Sequence, residues 1–197
     1  MPAVMLYGPP AAGKDTVTKA LTCLDENYRL HQRLKVGAGR TTGYQMTTSS
    51  HVTALRSAGS VVWETRRYDA LYVVDRASLI DMLEVCIPVL HVGQVGAVKA
   101  VTAALSPARR WVTVWLWCPR DVAAARITKR GTGDTAARLR AWDETAPLPN
   151  ADISINTADV HPADAAATIH RRIQDRRSES PVDGHGTIER SRHSQVN

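Results

Sequence analysis

The chain has few cysteines, few lysines and no long apolar run. Its three cysteines, Cys23, Cys86 and Cys118, are odd in number, far apart and include no CxxC pair, so neither a disulfide framework nor a zinc site is indicated. A reducing, cytoplasmic compartment is the expectation that follows. No uninterrupted apolar stretch approaches the roughly 20 residues that span a bilayer, and no membrane partner is expected. The N-terminus lacks the basic-then-apolar shape of a secretion signal, in keeping with that compartment. Arginine outnumbers lysine, 20 against 5, and the formal charge is +6 with a pI near 9.5. No aromatic–basic RNA signature or helix-turn-helix pattern accompanies that charge. Nucleic acid is therefore not the expected partner, and arginines serving a small anionic substrate account for the charge better.

At 197 residues the chain fits one domain, large enough to bury about 70% of its unfolded surface. Its most specific segment is Gly8-Pro9-Pro10-Ala11-Ala12-Gly13-Lys14-Asp15-Thr16. That segment follows the apolar run Ala3–Tyr7, read as a buried parallel strand, and leads into a stretch to Leu24 that can wind as a helix. Strand, glycine-bounded loop, lysine and helix start form the P-loop pattern. Gly8 and Gly13 let the backbone curl until successive N–H groups, with Ala11 and Ala12 between them, converge on a phosphate. The helix start adds partial positive charge, and Lys14 adds a full one that can follow a γ-phosphate. The pattern calls for ATP, with Gly8, Ala11, Ala12, Gly13, Lys14, Asp15 and Thr16 as its contacts. The residue after the lysine is usually Ser or Thr, a magnesium ligand; here it is Asp15, with Thr16 next. A carboxylate beside a polyphosphate is repelled unless it turns away or a cation lies between them. Asp15 and Thr16 are accordingly the magnesium candidates, and an acid complementing the helix dipole is the other reading of Asp15.

Apolar runs bounded by turn residues alternate with helical stretches along the chain. Strands are predicted at Val4–Tyr7, Leu34–Val36, Pro88–Val92, Trp111–Cys118 and Ile153–Asn156. Helices are predicted at Lys14–Leu24, Ser50–Ala58, Arg76–Val85, Val95–Leu105, Arg120–Lys129, Thr135–Thr145 and Pro162–Arg176. This alternation predicts an α/β fold, a five-stranded parallel sheet with helices on both faces. Short β-branched or aromatic runs at Val61–Trp63 and Ala70–Val74 fall inside one insertion and predict a small subdomain over about 41–75. The domain is expected to span 1–177, and the polar stretch 178–197 to be a disordered tail.

The order of these elements resembles the guanylate kinase branch of the nucleoside monophosphate kinases, from about Val4 to Ile173. The Gly8-Pro9-Pro10…Gly13-Lys14 loop resembles that family's P-loop. Tyr44-Gln45-Met46, a helix, and Ala58-Gly59-Ser60-Val61-Val62-Trp63-Glu64 are similar to its acceptor-binding subdomain, and Leu71-Tyr72 to its Tyr-Tyr-Gly element. Arg126…Arg130-Gly131-Thr132, with Arg138-Leu139 following, resembles its lid, here about 126–138. Ile155-Asn156 resembles its last strand. The resemblance implies that Arg40, Tyr44 and Tyr72 hold an acceptor phosphate and that Glu64, Arg66 and Arg67 lie on the acceptor side. It further implies that Arg126, Arg130 and Arg138 stabilise the transferring phosphoryl group and that Asn156 lies near the donor base. ATP and Mg2+ are the implied cofactors.

Three departures bear on substrate. Arg40 lacks the preceding Ser and the second Arg of the family. The strand Val89-Leu90-His91-Val92-Gly93 carries no carboxylate where a Walker-B-like acid is expected; His91 is one candidate replacement, and a core or edge histidine with a local hydrogen bond is the other, favoured reading. Arg66-Arg67-Tyr68 is unlike the guanine-reading pattern, and a base edge left unpaired costs about 1–3 kcal/mol per buried polar group. Guanosine monophosphate is therefore not the expected acceptor. The ribose 1,5-bisphosphate kinases are similar in having Gly-Lys-Asp at the P-loop and a Gly near position 93. The expectation is an ATP-dependent phosphotransferase acting on a small phosphorylated acceptor, nucleotide or sugar phosphate, with a homodimer left open. The alternatives are a ribose 1,5-bisphosphate kinase-like enzyme, a small-molecule hydroxyl kinase and a catalytically inactive binding module.

Overall fold

The computed structural model describes residues 2–105 and 111–178. The chain runs β1 (Ala3–Tyr7), α1 (Lys14–Leu24), β2 (Tyr28–Leu30), β3 (Arg33–Val36), β4 (Tyr44–Met46), α2 (Ser49–Ser57), β5 (Val61–Arg67) and β6 (Ala70–Asp75). It continues through α3 (Arg76–Val85), β7 (Ile87–Val92), α4 (Val95–Ala104), β8 (Trp111–Trp117), α5 (Arg120–Arg130), α6 (Thr135–Asp143), β9 (Ile153–Asn156) and α7 (Pro162–Ser178). The main sheet has five strands in the order β2-β7-β1-β8-β9, all parallel.

Every residue of β1 is buried, because β7 and β8 pair with it on its two sides and helices cover both its faces. The period-2 alternation of the strand divides the core. Val4 and Leu6 meet Val17 and Leu21 of α1 and Ala165, Ile169 and Ile173 of α7. Met5 and Tyr7 meet Leu79 and Leu83 of α3 and Ala97 and Val101 of α4. Parallel strands need such crossovers, which is why the continuous apolar runs alternate with helices. The loops after β1, β7 and β9 all emerge at the carboxyl edge of this sheet, where open α/β sheets bind ligands.

A second sheet, in the order β4-β3-β6-β5, packs Leu34, Leu71 and Val73 under Val52 of α2. It takes in Arg33–Val36, ahead of the 41–75 insertion. The predicted second strand of the main sheet is thus corrected: Tyr28–Leu30 fills that edge, and Leu34–Val36 belongs to the small sheet. Three residues with one exposed arginine give little apolar signal, yet Tyr28 is fully buried and pairs with Ile87. Ser178 is still helical, so the helix runs into the segment expected as tail; 179–197 lie outside the described residues. Among the described residues no helix is long and apolar enough to cross a membrane.

Leu21 is completely buried and Leu24, one turn on in the same helix, is 50% exposed. Leu21→Ala should lower the unfolding free energy by about 2–5 kcal/mol, and Leu24→Ala should change it by less than about 0.5 kcal/mol, both read by urea titration.

Candidate functional site

The loop between β1 and α1 is shaped by two glycines for different reasons. A Cβ on Gly8 would lie 2.0 Å from the Leu116 carbonyl oxygen, so no side chain fits. Gly13, the N-cap of α1, has φ 83, the left-handed region that glycine enters without strain. Ala11 holds φ 62 between them, a conformation costing a non-glycine residue about 1–2 kcal/mol. Lys14 folds back over the loop and donates from Nζ to the Gly8 carbonyl at 2.5 Å and to the Pro9 carbonyl at 2.8 Å. Burial pushes its pKa down to about 7, with Arg33 and Arg130 adding to the fall and Asp15 opposing it.

Across from the loop stands the small sheet. Arg40 donates from Nη1 to Asp15 Oδ2 at 2.9 Å, joining the two halves of the cleft. Burial pushes the Asp15 carboxyl up, but the Arg40 hydrogen bond and the surrounding cations hold it below its ordinary range. The loop carrying Arg40 is pinned from beneath by Lys35, which is 1% exposed and donates to the carbonyls of Ala38 and Arg40 at 2.5 and 2.8 Å. Tyr44 and Tyr72 pack at 5.1 Å between ring centroids. Arg33 lies over both rings at 5.6 and 5.3 Å, and Lys35 Nζ near both at 5.8 and 5.9 Å. At the β5–β6 turn Tyr68 and Asp69 have φ 51 and 56, and Arg138 stacks over the Tyr68 ring at 5.0 Å. Arg138 also donates to Asp134 at 2.6 Å, and Arg67 pairs with Glu144 at 3.4 Å.

Gly8, Ala11, Ala12, Gly13, Lys14, Asp15, Arg40, Tyr44, Arg67, Tyr72, Arg130 and Arg138 thus line one cleft together. Among the described residues, six cations, Lys14, Arg33, Arg40, Arg67, Arg130 and Arg138, face a single carboxylate there, Asp15.

The remaining sequence-selected residues stand elsewhere. Thr16 is exposed and, with Arg126, lines a neighbouring pocket bounded by Ala11, Thr157 and Pro162, which Arg130 borders as well. Arg126 donates to the Ala11 carbonyl at 3.1 Å, to Thr157 Oγ1 at 2.9 Å and to the Thr157 carbonyl at 2.7 Å, bracing the loop from behind. Asn156 donates to Asp159 at 2.6 Å and accepts from the Ala158 amide at 3.1 Å, closing a turn. Glu64 is bound by Arg56 at 2.9 Å, outside the cleft. Arg66 is exposed and lines a shallow depression with Arg140. Among the cleft residues that were not selected from the sequence are Arg33, Tyr68 and Gln94. Arg33, one residue before the predicted strand Leu34–Val36, carried no motif signal. Tyr68 carried none, because nothing in its residue type announces a left-handed turn position.

At the end of β7, His91 contacts Thr18 Oγ1 through Nε2 at 2.7 Å, and its Nδ1 lies 3.6 Å from Asp15 Oδ1. Burial and the Lys14 charge push the His91 pKa down to about 3 against the pull of Asp15. The ring is therefore neutral at physiological pH, and the 3.6 Å approach is not an ion pair. Among the described residues no cluster of three or more His, Cys, Asp or Glu could hold a metal on its own. Asp15 as the one carboxylate beside the loop fits magnesium only when phosphate oxygens and water complete its shell; Thr16, facing the other pocket, does not join it there. The glycine-shaped loop from Gly8 to Gly13, with the Lys14 ammonium folded over it, fits a polyphosphate.

No family model matches the chain, and no curated protein is similar to it in sequence. Among solved structures it is similar to guanylate kinase from Anaplasma phagocytophilum, with a TM-score of 0.59 at 16% identity over 89% of this chain and 85% of that one. It is also similar to APE1195, with a TM-score of 0.51 at 13% identity over 88% and 95%. At such identities the likeness is one of fold alone, an α/β fold shared with a P-loop kinase.

The folded-state pKa of Lys14, about 7, lies below its ordinary value of 10.5. Folding therefore costs the protonated lysine stability at low pH, and that cost is lifted as pH rises from about 7 to 10.5. Lys14→Met removes the group, so its melting temperature should exceed the wild type's most at pH 6.5 and the gap should narrow by pH 9. A gap that widened over that range would contradict the assignment.

Proposed function

We propose that the protein is an ATP-dependent phosphotransferase that moves the γ-phosphoryl group to a small phosphorylated acceptor. The observation that carries this reading is the meeting of a glycine-shaped phosphate cradle with six cations across a cleft holding one carboxylate. Phosphoryl transfer asks a protein mainly for positioning and for charge stabilisation over the transferring oxygens. Lys14, released from the loop carbonyls, follows the transferred phosphate. Arg130 and Arg138, from the α5–α6 segment, stand opposite it and serve as the lid. Arg40, Tyr44 and Tyr72 hold the acceptor phosphate, with Arg67 beside them. Bound magnesium would neutralise charge between the β- and γ-phosphates, next to Asp15. Arg126 and Thr16, on the neighbouring pocket, belong to the side from which the nucleoside of ATP approaches.

The same cleft supports an acceptor without a nucleobase. Stacking a base needs an open aromatic face, but Arg33 covers Tyr44 and Tyr72 and Arg138 covers Tyr68. The one amide side chain on the wall, Gln94, is engaged with Thr65 at 3.2 Å. Sugar phosphates suit these walls better than nucleoside monophosphates, in line with a ribose 1,5-bisphosphate kinase-like enzyme. One observation favours the inactive binding module instead, the missing carboxylate at the end of β7.

Incubation with Mg-ATP and a panel of nucleoside monophosphates and ribose phosphates should release ADP with a sugar phosphate, and Lys14→Ala should abolish that release. No turnover with any acceptor, together with no rise in melting temperature on adding ATP, would favour the binding module. A bound polyanion also restores the charge of Lys14. ATP binding should therefore take up a proton, and its affinity should weaken as pH rises through about 7. Calorimetry in buffers of different ionisation enthalpy reads both.

A further inference from the structure

The small sheet has an apolar face and a polar one, and the alternation of its strands assigns each residue to one of them. Leu34, Leu71 and Val73 pack under Val52 of α2. Arg33 and Lys35 share the other face with the residues in register with them, Tyr44 on β4 and Tyr72 on β6. The two cations of that face are used differently. Lys35 spends its ammonium on the carbonyls of Ala38 and Arg40, beneath their loop. Arg33 lines the cleft, and among the described residues no hydrogen bond or ion pair engages its guanidinium. It rests instead on Tyr44 and Tyr72, 5.6 and 5.3 Å from their ring centroids. Those rings stand 5.1 Å apart, tilted by 54°. Attraction to a ring quadrupole leaves the five N–H donors of a guanidinium free to take an anion.

We propose that Arg33 is the specificity-determining residue of the acceptor subsite. It binds the anionic group of a sugar phosphate and, by lying on the paired tyrosines, denies a nucleobase the surface on which it would stack. The inference rests on the phosphotransferase reading and names the residue that selects the acceptor. Bases bind proteins largely by stacking on aromatic faces. A base entering here must displace the guanidinium, which then loses two rings and its hold on the phosphate together. A sugar without a base makes no such demand. One side chain thus rewards the phosphate and penalises the base.

Ribose 5-phosphate and guanosine 5′-monophosphate test this as a pair, because they share sugar and phosphate and differ by the base. Calorimetric titration of each, with the phosphate loop filled by Mg2+ and the imido analogue of ATP, gives a discrimination ratio. The wild type should bind ribose 5-phosphate at least as tightly as the nucleotide. Arg33→Met removes the charge and keeps the rings covered, so ribose 5-phosphate should bind about tenfold more weakly with the ratio unmoved. Arg33→Ala should weaken ribose 5-phosphate equally. With the rings bared, it should also shift the ratio about tenfold towards the nucleotide, the scale of one stacked base. Undiminished affinity for ribose 5-phosphate in Arg33→Met, or an unmoved ratio in Arg33→Ala, overturns the proposal, as does a wild type that binds neither compound. If Arg33→Ala proves unfolded by its melting curve, the wild type decides, since a nucleotide bound more tightly than ribose 5-phosphate overturns the exclusion. A wild type that binds ribose 5-phosphate but releases no ADP with any acceptor sinks the phosphotransferase reading instead, a distinct outcome.

Discussion

Gly8 presses against β8 so closely that only a hydrogen can lie between its Cα and the Leu116 carbonyl. On its other side its amide donates to the Val92 carbonyl of β7 at 3.2 Å. The chain thus leaves the centre of the sheet while still gripped by both neighbouring strands. It must turn within the five residues to Gly13, whose left-handed conformation starts α1. The strain at Ala11 is tolerated because Arg126 and Cys118 approach its carbonyl from behind. The cradle is consequently a product of the register of three strands, not of the loop sequence alone.

Crowding so many cations around that cradle poses a problem that the unliganded fold solves locally. Each positive group is given an internal partner of modest strength: Lys14 two carbonyls, Arg33 two ring faces, Arg40 the Asp15 carboxylate, Arg67 Glu144, and Arg138 both Asp134 and a ring. Exposed or half-exposed pairs of this kind contribute on the order of 0–1 kcal/mol each. They hold geometry without locking it. Under the proposed function, a polyanion entering the cleft would exchange these partners for stronger charge-assisted bonds, and the same weakness would let them re-form when it leaves. Arg130, which has no ion-pair partner among the described residues, is the exception. It stands between the cleft and the neighbouring pocket, where a ligand spanning both is the available counter-charge.

Much of this was legible in the chain because the relevant signals are local. Helices α1 and α3 have the end residues predicted for them, Lys14–Leu24 and Arg76–Val85, and in the structure Gly13 and Asp75 cap their starts. The loop residues are similarly announced by spacing, whereas Arg40 was implied only by the resemblance to the kinase family. The small sheet was harder, because Leu34–Val36 and Tyr28–Leu30 are both short, and only long-range pairing decides which one joins β7. Lys35 shows why the site's support was invisible. A lysine read from sequence is an exposed charge, yet here its ammonium is buried under its own loop. Arg126, Glu64 and Asn156 carry motif-like spacing but are spent on local partners, a difference that only side-chain geometry reveals.

Positions 15 and 91 constrain each other. With the Asp15 carboxylate in place, a second carboxylate at position 91 would stand near where the imidazole nitrogen now lies, 3.6 Å from Oδ1. Two like charges at about 4 Å oppose each other by about 4 kcal/mol at an effective dielectric near 20. The two acids would therefore need a permanent cation between them, or one would stay protonated. A neutral imidazole occupies that point without the repulsion, held by the 2.7 Å contact of its Nε2 with Thr18 Oγ1. The acid of this cleft is thus carried by the helix that follows the phosphate loop instead of by the sheet edge. The absence of a carboxylate on β7 then follows from the presence of one on α1.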